Sequence, residues 1–163
     1  MARRVFFAFY YERDIWRAGQ VRNSWLAKPD REEAGFWDAA GWEKVKKEED
    51  EAIKRWIDNQ MKGTSVTAVL IGAETSGRKW VRYEVKKSHE EGKGLLGVYI
   101  HNMKDDNGKT DTKGDNNFGE IGKDQNGNSI YFSQLYPTYD WVNNDGYENF
   151  GDWVEKAAKK AGK

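Results

Sequence analysis

Trp80 and Glu84 stand four residues apart in Lys79-Trp80-Val81-Arg82-Tyr83-Glu84. On a helix that spacing puts an indole and a carboxylate on one face, one turn apart. Together they could hold a cationic aromatic ring, the indole as a flat wall and the carboxylate as the opposite charge. A solvated Glu paired with a neighbouring Lys or Arg, beside a Trp packed as core, has the same spacing and is the commoner arrangement. Other chemistries are missing. There is no GxGxxG, Gly-Lys-Ser/Thr phosphate loop, HExxH pair or GxSxG elbow. The chain has no cysteine, which removes a thiol nucleophile, a disulfide framework and a thiolate zinc site. His89 and His101 are its two histidines, so no metal site is expected.

The elements that must position this pair are legible from the apolar runs. Val5-Phe6-Phe7-Ala8-Phe9-Tyr10, Val66-Thr67-Ala68-Val69-Leu70-Ile71 and Leu95-Leu96-Gly97-Val98-Tyr99-Ile100 are continuous and rich in β-branched or aromatic residues. Runs of this kind read as strands buried on both faces, hence as a parallel sheet. Residues 43–62 carry Val45, Ala52, Ile53, Trp56, Ile57 and Met61 at helical spacing. Thr75 or Ser76 could cap a helix running to about Glu91, with Val81, Val85 and Ser88 on one face. A last helix, capped by Asn144 or Asp145, would turn Tyr147, Phe150, Val154, Ala157, Ala158 and Ala161 inward. Residues 14–19 are a weaker helix, 21–26 a short second strand and 130–132 part of a fifth. The alternation implies a three-layer α/β fold, in which ligands bind beyond the carboxyl ends of the strands. The chemistry is therefore expected after Phe9-Tyr10, after Ile71 and after Ile100.

A chain of 163 residues has room for one domain with a real core. Its 27 basic and 27 acidic side chains balance, against a polybasic nucleic-acid or membrane binder. No apolar run approaches a membrane span or a signal peptide, and with no cysteine the chain suits a reducing, cytoplasmic setting. Residues 105–128 are rich in Gly, Asn, Asp and Lys and read as a polar surface loop, dispensable for folding, with two Asn-Gly turns of type I′. The carboxylate spacing there does not match an EF-hand, and the terminal Glu is missing.

Longer strings carry a resemblance. Trp80-Val81-x-x-Glu84 after a strand ending in Leu-Ile-Gly resembles the catalytic helix of Toll/interleukin receptor (TIR) domains, and Val5-Phe6-Phe7-Ala8-Phe9 resembles their first strand. Asp14-x-Trp16-Arg17-x-x-Gln20-Val21-Arg22-Asn23, Ala52-Ile-Lys-x-Trp-Ile-Asp58-x-Gln-Met-Lys62 and Gly72-Ala-Glu-Thr-x-Gly-Arg-Lys-Trp80-Val are similar to bacterial TIR-like proteins of the Thoeris antiphage system. The resemblance covers about residues 3–103.

It implies a single TIR-like domain over residues 1–163, built on a five-stranded parallel flavodoxin-like sheet with helices on both faces. It also implies an enzyme that cleaves NAD+ as substrate, with no separate cofactor, and makes a cyclic ADP-ribose-type signal. A phage-derived trigger would start it, and the diffusible product would activate a partner effector that depletes NAD+; self-association on activation is a further option. By position Glu84 is the catalytic carboxylate, Trp80 lines the nicotinamide side, and Ala8, Phe9 and Tyr10 end the first strand beside the nucleotide. Ala8 replaces a common Ser and Val81 a common Cys. One carboxylate suffices for this chemistry, because nicotinamide leaves a cationic ring as a neutral molecule and needs no general acid. Phe7, Phe9, Tyr10, Tyr11, Trp16 and Trp80 could wall a dry pocket, with core packing preferred for Phe7. Arg13, Arg17 and Arg22 are equally candidates for the diphosphate and for solvated surface charge, and His101 could face the site. The competing readings are a non-catalytic TIR-like adaptor or nucleotide-binding module and, more weakly, a flavin binder.

Overall fold

A computed structural model describes residues 3–27, 31–34 and 39–163 of the chain. The elements run β1 (Arg3–Ala8), α1 (Tyr11–Leu26), β2 (Arg31–Ala34), α2 (Ala39–Val45), α3 (Asp50–Met61), β3 (Val66–Ile71), a 3-10 turn (Thr75–Gly77) and α4 (Lys79–Glu90). There follow β4 (Gly94–Tyr99), β5 (Glu120–Lys123), β6 (Ser129–Tyr131), α5 (Phe132–Leu135), β7 (Thr138–Asp140) and α6 (Gly146–Lys160). The main sheet has the order β2-β1-β3-β4-β7, and every neighbouring pair is parallel. This is an α/β fold with a parallel sheet between helices.

Alternation along the three apolar strands builds two cores. Val5, Phe7, Val66, Ala68, Leu70, Leu96 and Val98 pack on α1 and α6 through Ala18, Val21, Trp25, Phe150 and Val154. Phe6, Ala8, Val69, Ile71 and Leu95 point the other way, onto Ile53, Ile57 and Met61 of α3 and Val81 and Val85 of α4. Each face of the sheet thus meets a helix stripe of 3.6-residue period, which is why these strands read as unbroken apolar runs.

The edges differ from expectation. Residues 21–26 are not a strand but the end of α1, because Asp14, Arg17, Ala18, Val21 and Trp25 form one buried helical stripe. The strand beside β1 is β2, whose Arg31-Glu32-Glu33-Ala34 carries no apolar alternation and reads as a charged edge. Residues 130–132 do not join the main sheet: β6 pairs antiparallel with β5 in a separate two-stranded unit, and the far edge is β7. The helix expected over 43–62 breaks between α2 and α3, across the charged run Lys46-Lys47-Glu48-Glu49. In α6, Tyr147 faces solvent and Trp153 takes its place in the core.

The segment 105–128 is not a bare surface loop. Phe118 and Ile121 are buried with α4, and the Phe118 ring meets Phe132 edge-on at 5.1 Å. Its two tight turns share one build: Asp105 Oδ1 accepts from the Asn107 and Lys109 amides, and Asp124 Oδ1 from those of Asn126 and Asn128. Only the glycines, Gly108 at φ 74° and Gly127 at φ 80°, are left-handed. Type I′ would need the preceding Asn left-handed too, so each turn instead has the form of a type I turn closed by a left-handed Gly.

Candidate active site

β1 ends at Ala8, and Phe9 and Tyr10 lead directly into α1. β3 ends at Ile71; the chain then turns through Thr75, whose Oγ1 accepts from the Gly72 amide at 2.7 Å, and enters α4 with Arg78 at the N-cap. Adjacent parallel strands bring these two exits side by side. Between them lies a cavity of about 340 Å³. Phe9, Tyr10, Tyr11, Trp42 and Trp80 form its aromatic walls, and Glu12, Arg78 and Lys79 its charged border. Of the residues predicted to touch the nucleotide, Phe9, Tyr10 and Trp80 meet here. Ala8 does not: it is fully buried among the residues that pack on α3 and α4.

Glu84 sits one turn beyond Trp80 on the buried face of α4, with Val81, Val85 and Ser88, and is completely enclosed. It is not part of the cavity lining. α4 is held in place from both sides. Ser88 Oγ bonds Thr67 Oγ1 at 2.7 Å, and the Tyr83 hydroxyl donates to Asp58 Oδ1 at 2.7 Å. Burial and then this carboxylate keep the Tyr83 phenol well above its ordinary pKa, so it stays a donor. The Trp80 ring meets Tyr83 edge-on at 5.9 Å, and the Lys79 ammonium lies 4.8 Å above the indole. Opposite, the Trp42 indole N–H donates to Glu12 at 3.0 Å.

The remaining sequence candidates lie elsewhere. Arg17 is buried and donates to the Met103 carbonyl at 2.8 Å and the Lys109 carbonyl at 2.9 Å. Arg13 forks onto Asp111 with two bonds of 2.9 Å and reaches Glu74 at 2.6 Å, which holds the Asp111 carboxyl below the usual carboxylate range. Arg22 lies further along α1, away from the cavity. Trp16 is half exposed and walls no part of it, and Phe7 is core, stacked on Phe150. His101 is buried after β4, edge-on to Tyr99 at 5.9 Å, and does not line the cavity. Asp14 is enclosed against Gly72, where an added Cβ would come within 2.1 Å of its Oδ2. Burial pushes its pKa up to about 6; Arg17 opposes that shift and Asp111 adds to it.

Sequence reasoning missed Trp42 and Arg78. Nothing local marks Trp42, which reaches the cavity only because α2 packs on α3. Arg78 carried a usable signal: it is the cation at the residue preceding the helix that bears Trp80. Among the described residues no cluster of acidic or histidine side chains could hold a metal ion, and no helix is long and apolar enough to cross a membrane.

Comparison with known proteins adds two findings. Residues 6–105 match the model of a family described as Thoeris protein ThsB, TIR-like domain. A protein of Bacillus cereus (strain MSX-D12), named "Putative cyclic ADP-D-ribose synthase ThsB1", is 37% identical over 191 aligned positions, spanning 94% of this chain and 100% of the relative.

Proposed function

The chain belongs to the Thoeris ThsB family of TIR-like domains, and on that premise we propose that it cleaves NAD+ and cyclises the ADP-ribose that remains. The observation that carries this reading is the meeting of Phe9, Tyr10 and Trp80 around one cavity, with Glu84 a single helical turn past Trp80. The name of the Bacillus cereus relative supports the product class. The strand order supports the finer fold reading, one TIR-like domain on a five-stranded flavodoxin-like sheet.

The bond between the nicotinamide nitrogen and ribose C1′ breaks, its electron pair returns to the ring, and nicotinamide departs neutral. The ribose is left as an oxocarbenium ion. Glu84 supplies the negative charge that this ion requires, in a setting where burial strengthens the attraction. Phe9, Tyr10 and Trp80 hold the flat rings and exclude water, and Ala8 acts only by ending β1 where Phe9 and Tyr10 must begin. A hydroxyl of the distal ribose then attacks C1′ and gives up its proton, which the Glu84 carboxylate accepts as base. Folding the dinucleotide back favours this attack over water, because well-oriented partners reach effective concentrations of up to ~10⁵ M or more.

The carboxylate is covered in this conformation, so the resting protein is expected to turn over slowly until a phage-derived trigger opens a path past Trp80. The diffusible product then reaches a partner effector, and the setting is the cytoplasm, where NAD+ is met. The same burial favours a second reading, a TIR-like module that binds without catalysis. The test is nicotinamide release from NAD+ by triggered protein, with mass spectrometry of the product. A cyclic product is one water lighter than ADP-ribose. Only hydrated product would make the protein a simple NAD+ hydrolase, and no release under triggering would leave the binding module.

A further inference from the structure

A diphosphate carries two negative charges and cannot follow a nicotinamide ring into an aromatic cavity of about 340 Å³; it must stay at the border and meet a cation there. Arg13 and Arg17 are engaged by Asp111, Glu74 and two backbone carbonyls, and neither borders the cavity. Among the described residues two cations border it. Lys79 is paired with Asp50 on α3. Arg78 is different: its guanidinium carbon lies 3.9 Å over the centre of the Tyr10 ring, and among the described residues its side chain donates a single hydrogen bond, to Glu74 Oε1 at 2.8 Å. A guanidinium has five N–H donors, so most of the fork is unspent.

We propose that Arg78, held over the Tyr10 ring, grips the diphosphate of the dinucleotide at the cavity mouth. The proposal rests on the NAD+ reading of this same cavity. The cation–π contact holds the guanidinium over the ring without using its N–H donors, which leaves them for bidentate contact with phosphate oxygens. Glu74 takes one edge of this guanidinium; with Arg13 and Asp111 it completes a balanced set of two cations and two carboxylates, so what Arg78 offers a phosphate is its unspent donors. Arg78 is also the N-cap of the twelve-residue α4, with no side chain capping that end, so the first-turn amides supply a positive field at the border. Tyr10 therefore does two jobs, as a cavity wall and as the platform for the cation.

The experiment is calorimetric titration of the full chain with three probes: NAD+, ADP-ribose (the same diphosphate without nicotinamide) and nicotinamide riboside (no diphosphate). Arg78→Ala is expected to weaken NAD+ and ADP-ribose by about tenfold each and to leave nicotinamide riboside unchanged. Arg78→Lys should recover only part of the loss, since an ammonium does not fork. In turnover, Arg78→Ala should raise KM for NAD+ about tenfold with kcat within about threefold. Equal loss for nicotinamide riboside, or no loss for ADP-ribose, overturns the assignment. If the three-probe pattern appears but triggered protein releases no nicotinamide, the diphosphate site stands and the catalytic reading falls instead.

Discussion

The sheet has a hollow at each end, and the two are built from different materials. Beyond the carboxyl ends of β1 and β3 lies the aromatic cavity of about 340 Å³. At the amino end of β4, between the last turns of α4 and α6, lies one of about 650 Å³, lined by Leu95, Leu135, Pro137 and Ala157 with His89, Lys93, Lys156 and Lys160. The larger one looks basic, but its charges are partly spent. The Lys93 ammonium bonds the Met61 carbonyl and Thr64, with burial lowering its pKa, and Lys160 bonds the Leu135 carbonyl. Helix C-termini border it, and the negative ends of their dipoles oppose an anion. At the carboxyl end the chain supplies a helix N-terminus, open aromatic faces and a guanidinium with spare donors. Volume does not select the site; the direction of the helices and the uncommitted donors do.

The sharpest way to break this comparison is Glu84→Gln. The swap is nearly isosteric, so the fold should hold, while nicotinamide release by triggered protein falls ~10²–10³-fold or more. A wild-type rate would remove the carboxyl-end site as the place of chemistry. Next in size, the packing of residues 105–128 on the outer side of α4 should answer in stability rather than rate. Phe118→Ala empties a buried ring position and should cost ~3–5 kcal/mol in denaturant unfolding, with unchanged turnover per folded molecule. A loss below about 1 kcal/mol would restore the view of 105–128 as a dispensable loop.

A third effect is pH-dependent and belongs to the carboxyl end. Asp14 has a folded-state pKa of about 6 against an ordinary 3.8, so the folded chain keeps a proton that the unfolded chain releases. Its contribution is present in full below about pH 4 and is lost as pH rises through about 6. At ~1.4 kcal/mol per unit the loss reaches at most ~3 kcal/mol, set by burial against the opposing Arg13 and Arg17 and the reinforcing Asp111. Asp14→Asn cannot ionise, so its melting temperature relative to the parent should climb by several degrees between pH 4 and pH 7. A difference that stays flat with pH would show that Asp14 is ionised throughout. Smallest of all, Lys156→Ala at the amino-end hollow should leave turnover within about twofold and stability within ~0.5 kcal/mol. A tenfold loss of activity there would mean that the two ends had been assigned the wrong way round.

The residues that were legible share a short range. Phe6 and Phe7, or Leu95 and Leu96, announce opposite faces of a strand because side chains alternate every residue. Val81, Val85 and Ser88 announce one face of α4 by the same local geometry. The site was partly legible for that reason: Trp80 and Glu84 share a helix, and Phe9 and Tyr10 follow a strand end. Its cations were not. Arg17 has the same local look as Arg78, yet it is consumed by carbonyls 86 and 92 residues away, and no window of sequence displays that.

By itself, then, the sequence determined what short-range periodicity encodes: the strands β1, β3 and β4, the inner stripes of α3, α4 and most of α6, and an indole one turn before a carboxylate. Tertiary structure alone decided the sheet edges, since β2 and β7 carry little apolar signal and are strands because β1 and β4 offer them unpaired backbone groups. It also decided the depth of Glu84, the choice of Arg78 over Arg13 and Arg17, and the anchoring of Phe118. Each of these depends on which distant carbonyl, carboxylate or ring arrives as a neighbour, and that is a property of packing rather than of spacing.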